Sequence, residues 1–220
     1  MSVVIPLLLT LKVAAIATLS TMLIGLLPAW LLTRHEFPGR DLLEVALTLP
    51  LVLPPTVLGY YLLVLVGRNG WVGHWLREHF GVSLIFTWQG AVLATTVVSL
   101  PLVFKSASAA FAAVNRQCEE AAAILGASGA AIFFRVSLPL AWRGILAGGM
   151  MAFARAMGEF GATLMVAGNL PGRTQTLSMA VYDAVQAGDW RAANLMTGLI
   201  TVVSAVILYG SGKLLQTDWR

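Results

Sequence analysis

Charge is scarce in this chain: only 11% of its 220 residues are Asp, Glu, Lys or Arg. A soluble domain of that length needs far more charged surface, so the composition excludes a free-standing soluble protein. Cysteine is almost missing. Cys118 stands alone, which rules out an intrachain disulfide and any cysteine-built metal cluster. His35, His74 and His79 are scattered or interfacial and offer no convergent ligand set. The chain lacks a Gly-x4-Gly-Lys-Ser/Thr phosphate loop, a Gly-x-Ser-x-Gly elbow and a His-Glu-x-x-His pair. It therefore has no ATPase site of its own, and the reading as an intramembrane enzyme is set aside. No cationic region precedes the first apolar run, whose earliest charge is Lys12. The first span is accordingly expected to stay in the membrane and not to be cleaved as a signal peptide.

What the chain does have is apolar length. Hydrophobic residues make up 58% of it, and its mean hydropathy is +0.82. A membrane helix needs about 20 apolar residues, and about five stretches qualify: residues 11–32, 42–66, 86–104, 144–167 and 192–215. The expected fold class is all-α integral membrane, a single transmembrane domain over 1–220 with membrane lipid as its surroundings. Lys12 is expected to snorkel to the near interface. The second stretch holds Pro50, Pro54 and Pro55, which a bundle tolerates where neighbours or water satisfy the freed carbonyls. Segment 67–85, with Trp71, Trp75, Arg68 and Arg77, reads as interfacial. Segment 168–191 reads as a polar loop with a short helix near 178–187.

The net charge of +4 comes from basic residues scattered through short loops, so nucleic acid is not indicated. Five spans put Arg34, Arg40, Lys105, Arg116, Arg135, Arg143, Lys213 and Arg220 on one side. The other side has Arg68, Arg77, Arg173 and Arg191. The positive-inside rule then places the N-terminus outside and the polar break 105–143 in the cytoplasm.

That break carries a spaced motif: Glu120-Ala121-Ala122, then Gly126, then Val136 and Leu138-Pro139. From residue 112 to residue 125 the composition is that of a helix, with Gly126 able to supply a left-handed cap. Ser128 is placed to cap a second short helix running to Phe134. Small side chains let a partner's backbone approach, while Glu119 and Glu120 offer charges for its Arg or Lys, which suits insertion into a groove.

The spacing resembles the loop by which inner-membrane permeases of binding-protein-dependent ABC importers dock onto their ATPase, with Val136 where the family pattern has Ile. The resemblance implies a type I ABC importer permease fold with a cytoplasmic coupling helix, and a separate ABC-type ATPase that binds ATP and Mg. The ATPase-coupling candidates are Glu119, Glu120, Ala121, Ala122, Gly126, Leu138 and Pro139. One ATPase pair presents two grooves, so a second copy of this chain is expected, with a different second permease, as in the sulfate systems, the alternative.

Arg155 and Glu159 stand four residues apart in the fourth stretch, on one helical face. An unpaired charge at the bilayer centre costs at least about 2.5 kcal/mol, so both are expected to face protein or water. With Thr163, Pro54 and Pro55 they are the candidates for a translocation path or gate; the bland alternatives are a bundle-locking ion pair or a span that ends earlier. Gly144 and Gly148 form a GxxxG pattern that permits close packing.

Three stretches, 49–55, 153–163 and 168–177, resemble the molybdate permease subunit, and the likeness covers essentially the whole chain. It implies translocation of molybdate or tungstate across the cell inner membrane, and a periplasmic oxyanion-binding protein docking on loops that include Asn169, Gly172, Arg173 and Thr174. A sulfate or thiosulfate permease is the alternative within the same class. An ATP-independent channel would need no docking motif, and a secondary transporter is disfavoured by five spans without an inverted repeat.

Overall fold

The computed structural model describes residues 3–215, and Arg220, counted above among the cytoplasmic charges, lies outside them. Helix α1 runs Val4–Arg34, 31 residues. Then follow α2 (Arg40–Thr48), a 3-10 turn at Leu49–Leu51, α3 (Pro55–Val66) and α4 (Trp71–Phe80). Next come α5 (Trp88–Ala112), α6 (Arg116–Ile124) and α7 (Gly129–Ile132), which continues through a π turn at Phe133–Ser137 into α8 (Leu138–Met157). The described residues close with α9 (Gly161–Ala167), α10 (Leu177–Gln186) and α11 (Trp190–Leu215). The all-α membrane architecture expected from hydropathy is what forms: four helices are long and apolar enough to cross a membrane, five if the bent pair α2–α3 counts as one span.

Two expected spans are not single rods. Residues 42–66 were expected as one helix, but α2 and α3 meet at 113°. Pro50, Pro54 and Pro55 remove three backbone donors in six positions, and no helix survives that. The fourth span was drawn over 144–167. The helix in fact begins near Gly129, runs to Met157, breaks at 158–160 and resumes as the separate α9. The polar break 105–143 also shrinks, because α5 extends to Ala112 and α8 starts at Leu138. Ser128 caps as expected, accepting from the Ala131 N–H at 3.3 Å, but the short helix it starts runs on into α8.

Helix α5 is the hub, packed on α1, α8, α9, α3 and α2. Thr87 starts it by accepting the Gly90 N–H at 3.2 Å. Lys12 does not merely reach for the interface: its Nζ sits 3.5 Å from the Trp88 ring centre, joining the leading ends of α1 and α5. At the other end, Ala29, Leu32, Phe104, Phe111, Phe133 and Ile145 form one buried cluster beneath α6. The GxxxG pattern packs α8 on α5: a Cβ at Gly144 would stand 2.6 Å from the Ala110 Cβ, and one at Gly148 would stand 2.5 Å from the Ser106 Cβ. Elsewhere α1, α3 and α11 turn large apolar side chains outward, Leu23 at 81% exposure among them, as a lipid-facing surface requires.

Candidate docking helix and translocation site

The sequence builds α6 by short-range signals. Asn115 Oδ1 accepts the Gln117 N–H at 3.0 Å at its start. At its end Gly126 adopts φ +83°, its N–H bonding to Ala123 O at 2.9 Å and the Ala127 N–H to Ala122 O at 3.0 Å. This is a Schellman end, and a side chain at Gly126 would be strained there. No residue of α6 is buried. Ile124 and Leu125, at 86% and 87% exposure, stand uncovered beside Glu120 and Ala121 at the tip. Cys118 is exposed on the same helix.

Glu119 behaves differently from the other candidates. Its carboxylate turns inward to Arg34, with Arg34 Nε 2.6 Å from Glu119 Oε2 and both side chains nearly buried. Ser137 Oγ donates to Glu119 Oε1 at 2.5 Å. Glu119 is thus engaged within the chain, whereas Glu120 is exposed. Leu138 and Pro139 open α8 just after the π turn. Pro139 has no N–H to give the turn before it, and a wider turn accommodates that. Arg34, Ser137 and Trp30 are functional-site neighbours that motif reading did not single out; no local spacing marks them, since Trp30 and Ser137 lie 107 positions apart.

The second constellation sits where the two broken helices meet. A Cβ on Gly161, the first residue of α9, would lie 3.2 Å from Pro55 Cβ and 3.2 Å from Thr56 Cγ2 at the start of α3. Arg155 Nη1 is 2.8 Å from Glu159 Oε2. Glu159 Oε1 accepts the Ala162 N–H at 2.9 Å, capping the first turn of α9. The Arg155 side chain is 36% exposed and that of Glu159 only 2%. Glu159 therefore anchors the break while Arg155 reaches an open face. Pro54 is exposed beside the break. Thr163 is turned into the core, its hydroxyl 3.3 Å from that of Thr95, and lines no open face of this chain.

At the bundle end remote from α6, the segment after α9 is a braced loop. Asp183 of α10 accepts from Asn169 Nδ2 and Gln175 Nε2, both at 2.7 Å. Thr174 Oγ1 donates to Gly168 O at 3.0 Å and accepts the Leu170 N–H at 3.1 Å. Asn169 and Thr174 are thus scaffolding, and the exposed tip is Pro171, Gly172 and Arg173. Gly168, at φ +66°, leaves room for the Phe86 ring, which a Cβ would approach to 2.7 Å. Among the described residues, no group of three or more His, Cys, Asp or Glu side chains could hold a metal ion.

A multi-pass helical bundle with two broken helices and an uncovered amphipathic helix at one end defines the class: the membrane subunit of a transporter. Residues 21–220 match the binding-protein-dependent transport system inner membrane component family, and the chain belongs to it. It is a multi-pass protein of the inner membrane. Among its relatives, the molybdenum transport system permease protein ModB of Escherichia coli strain K12 is 44% identical over 96% of this chain and 90% of that protein. A putative molybdenum transport system permease protein of Bacillus subtilis strain 168, YvgM, is 41% identical over 93% of this chain and 90% of that protein. The sulfate transport system permease protein CysT of Escherichia coli strain K12 is 35% identical over 93% and 74%. The fold is shared with an inward-facing MetNI methionine ABC transporter structure at TM-score 0.74 and 18% identity, covering 99% of this chain and 96% of the other.

Proposed function

We propose that this chain is the permease of an ATP-driven importer of molybdate or tungstate, working as a pair of identical subunits on a separate ABC-type ATPase that binds ATP and Mg. The observation carrying the reading is α6. It has no buried residue, its end is fixed by Gly126, and Ile124 and Leu125 present bare apolar surface beside the Glu120 carboxylate. Such a helix favours insertion into a partner's groove, and its Glu120-to-Pro139 spacing is the reason to name an ATPase as that partner. The substrate reading is supported by the relatives, since those named for molybdenum are 37–44% identical and the sulfate permeases 34–35%.

The pathway is assigned to the face where the two broken helices meet. Irregular backbone at membrane depth is stable only against protein or a water-filled cavity, yet Leu51 and Val52 are 60% and 80% exposed in the single chain. A second copy supplies that cover, with the path between protomers. Arg155 then offers a passing oxyanion one partly exposed guanidinium, while a periplasmic binding protein delivers cargo to the loop tip at Gly172 and Arg173. The test is ATP hydrolysis by the reconstituted permease–ATPase complex with binding protein loaded with molybdate, tungstate or sulfate. Stimulation by the molybdate- and tungstate-loaded forms alone is expected; stimulation by sulfate alone would overturn the substrate and keep the architecture.

A further inference from the structure

Four side chains close a ring around the root of α6. Trp30 and Arg34 stand one turn apart on α1. Trp30 Nε1 donates to Ser137 Oγ at 3.2 Å, Ser137 Oγ donates to Glu119 Oε1, and Glu119 Oε2 meets Arg34. Arg34 has a second task. Its Nη2 donates to Phe111 O at 2.7 Å and to Val114 O at 3.1 Å, placing a cation on the carbonyl end of α5, where the helix dipole favours it. One guanidinium therefore binds α1, α5 and α6, and the serine adds the π turn that leads into α8. The Trp30 ring also packs edge-on against Phe133 of that turn, centroids 5.3 Å apart.

We propose that Arg34 is the positioning residue of energy coupling: through Glu119 it makes α6, α1, the end of α5 and the start of α8 move as one body. This rests on the reading that α6 docks an ATPase. The chain has few other ways to pass such a motion on. Without the ring, the only covalent routes from α6 are residues 113–115 toward α5 and the Gly126 turn toward α7, so the displacement would be taken up as bending. Packed elements with fixed polar ties shift between discrete arrangements instead of deforming continuously. The guanidinium is the needed chemistry, because its separate nitrogens meet a carboxylate and two carbonyls at once, whereas lysine offers a single ammonium.

The test uses the permease reconstituted with its ATPase and binding protein, with molybdate uptake and ATP hydrolysis measured in the same vesicles. Protection of Cys118 from a maleimide by the ATPase, in the unsubstituted protein, checks docking separately; if Cys118 stays reactive in the complex, the docking reading fails and not the ring. Given protection, Arg34→Lys and Glu119→Gln are expected to retain the ATPase but cut uptake per ATP hydrolysed by about fivefold or more, the lower end of ordinary coupling between sites. An unchanged ratio overturns the proposal. So does loss of uptake and hydrolysis in proportion, or loss of the ATPase, since the ring would then only hold α6 in place. Should the charge variants fail to insert, Trp30→Phe with Ser137→Ala opens the neutral arm alone. Its uptake per ATP is expected to fall by about twofold or more, and an unchanged ratio there overturns the proposal equally.

Discussion

Arg155 Nη1 and Glu159 Oε2 lie 2.8 Å apart, yet one partner is 36% exposed and the other 2%. The asymmetry divides their tasks. Glu159 holds the α8–α9 break through Arg155 and the Ala162 N–H, whereas Arg155 has surface to spare. Because Arg155 is partly exposed, removing Glu159 strands mainly the Ala162 N–H, at a cost of about 1–3 kcal/mol. Glu159→Ala is therefore expected to lower the thermal midpoint of the purified protein sharply, and Glu159→Gln, which still accepts from Ala162, clearly less. Equal losses would show that the cap contributes nothing. Arg155→Lys is expected to keep most of the stability and lose oxyanion uptake; unaltered uptake would return the pair to a purely structural role.

Cys118 gives a direct check on sidedness. As the lone cysteine, exposed on α6, it is expected to react with a membrane-impermeant maleimide in inside-out vesicles stripped of the ATPase and not in intact cells. Labelling from the outside would invert the topology and move α6 out of reach of a cytoplasmic ATPase.

Gly126 terminates α6 at φ +83°. A β-branched residue there carries a penalty of about 1–2 kcal/mol, and about 1.4 kcal/mol is tenfold in an equilibrium. Gly126→Val is expected to insert normally and to retain the ATPase about tenfold less well on co-purification. Full retention would show that the turn after α6 does not set its docking pose.

Asp183 carries two charge-assisted hydrogen bonds to the loop at the other end, each of a kind contributing about 1.5–3 kcal/mol. Asp183→Ala is expected to abolish most of the stimulation of ATP hydrolysis by loaded binding protein, with α6 untouched and Cys118 protection unchanged. Normal stimulation would remove this loop from the delivery surface.

Much of the fold was legible in the sequence because its signals are local. Hydropathy marked the apolar stretches, and Ser128 capped α7 as its position suggested; the alanine-rich run and Gly126 marked α6 and its end, but the helix starts at Arg116, after a break at 113–115, and not at residue 112. What stayed hidden was long-range. The prolines announced a disturbance in the second stretch but not a bend of 113°, because the direction after a break is set by what the second half packs on, here α9 and α5. The fourth span ended early for a similar reason: Glu159 was read as a charge along a continuous helix, but its carboxylate caps a new one. Glu119 was read as facing a partner, and only the folded chain brings Arg34 and Ser137 to it. Of the loop candidates, Gly172 and Arg173 reach the surface, while Asn169 and Thr174 brace the turn from beneath.

Helix α1 spans 31 residues, about 46 Å at 1.5 Å per residue, against a hydrocarbon slab of about 30 Å. It is too long to lie wholly within the lipid unless steeply tilted, and the surplus ends at Arg34. Reconstitution into bilayers of longer or shorter acyl chains is expected to tilt or raise α1 without touching a single residue, and with it the guanidinium to which α6 is tied.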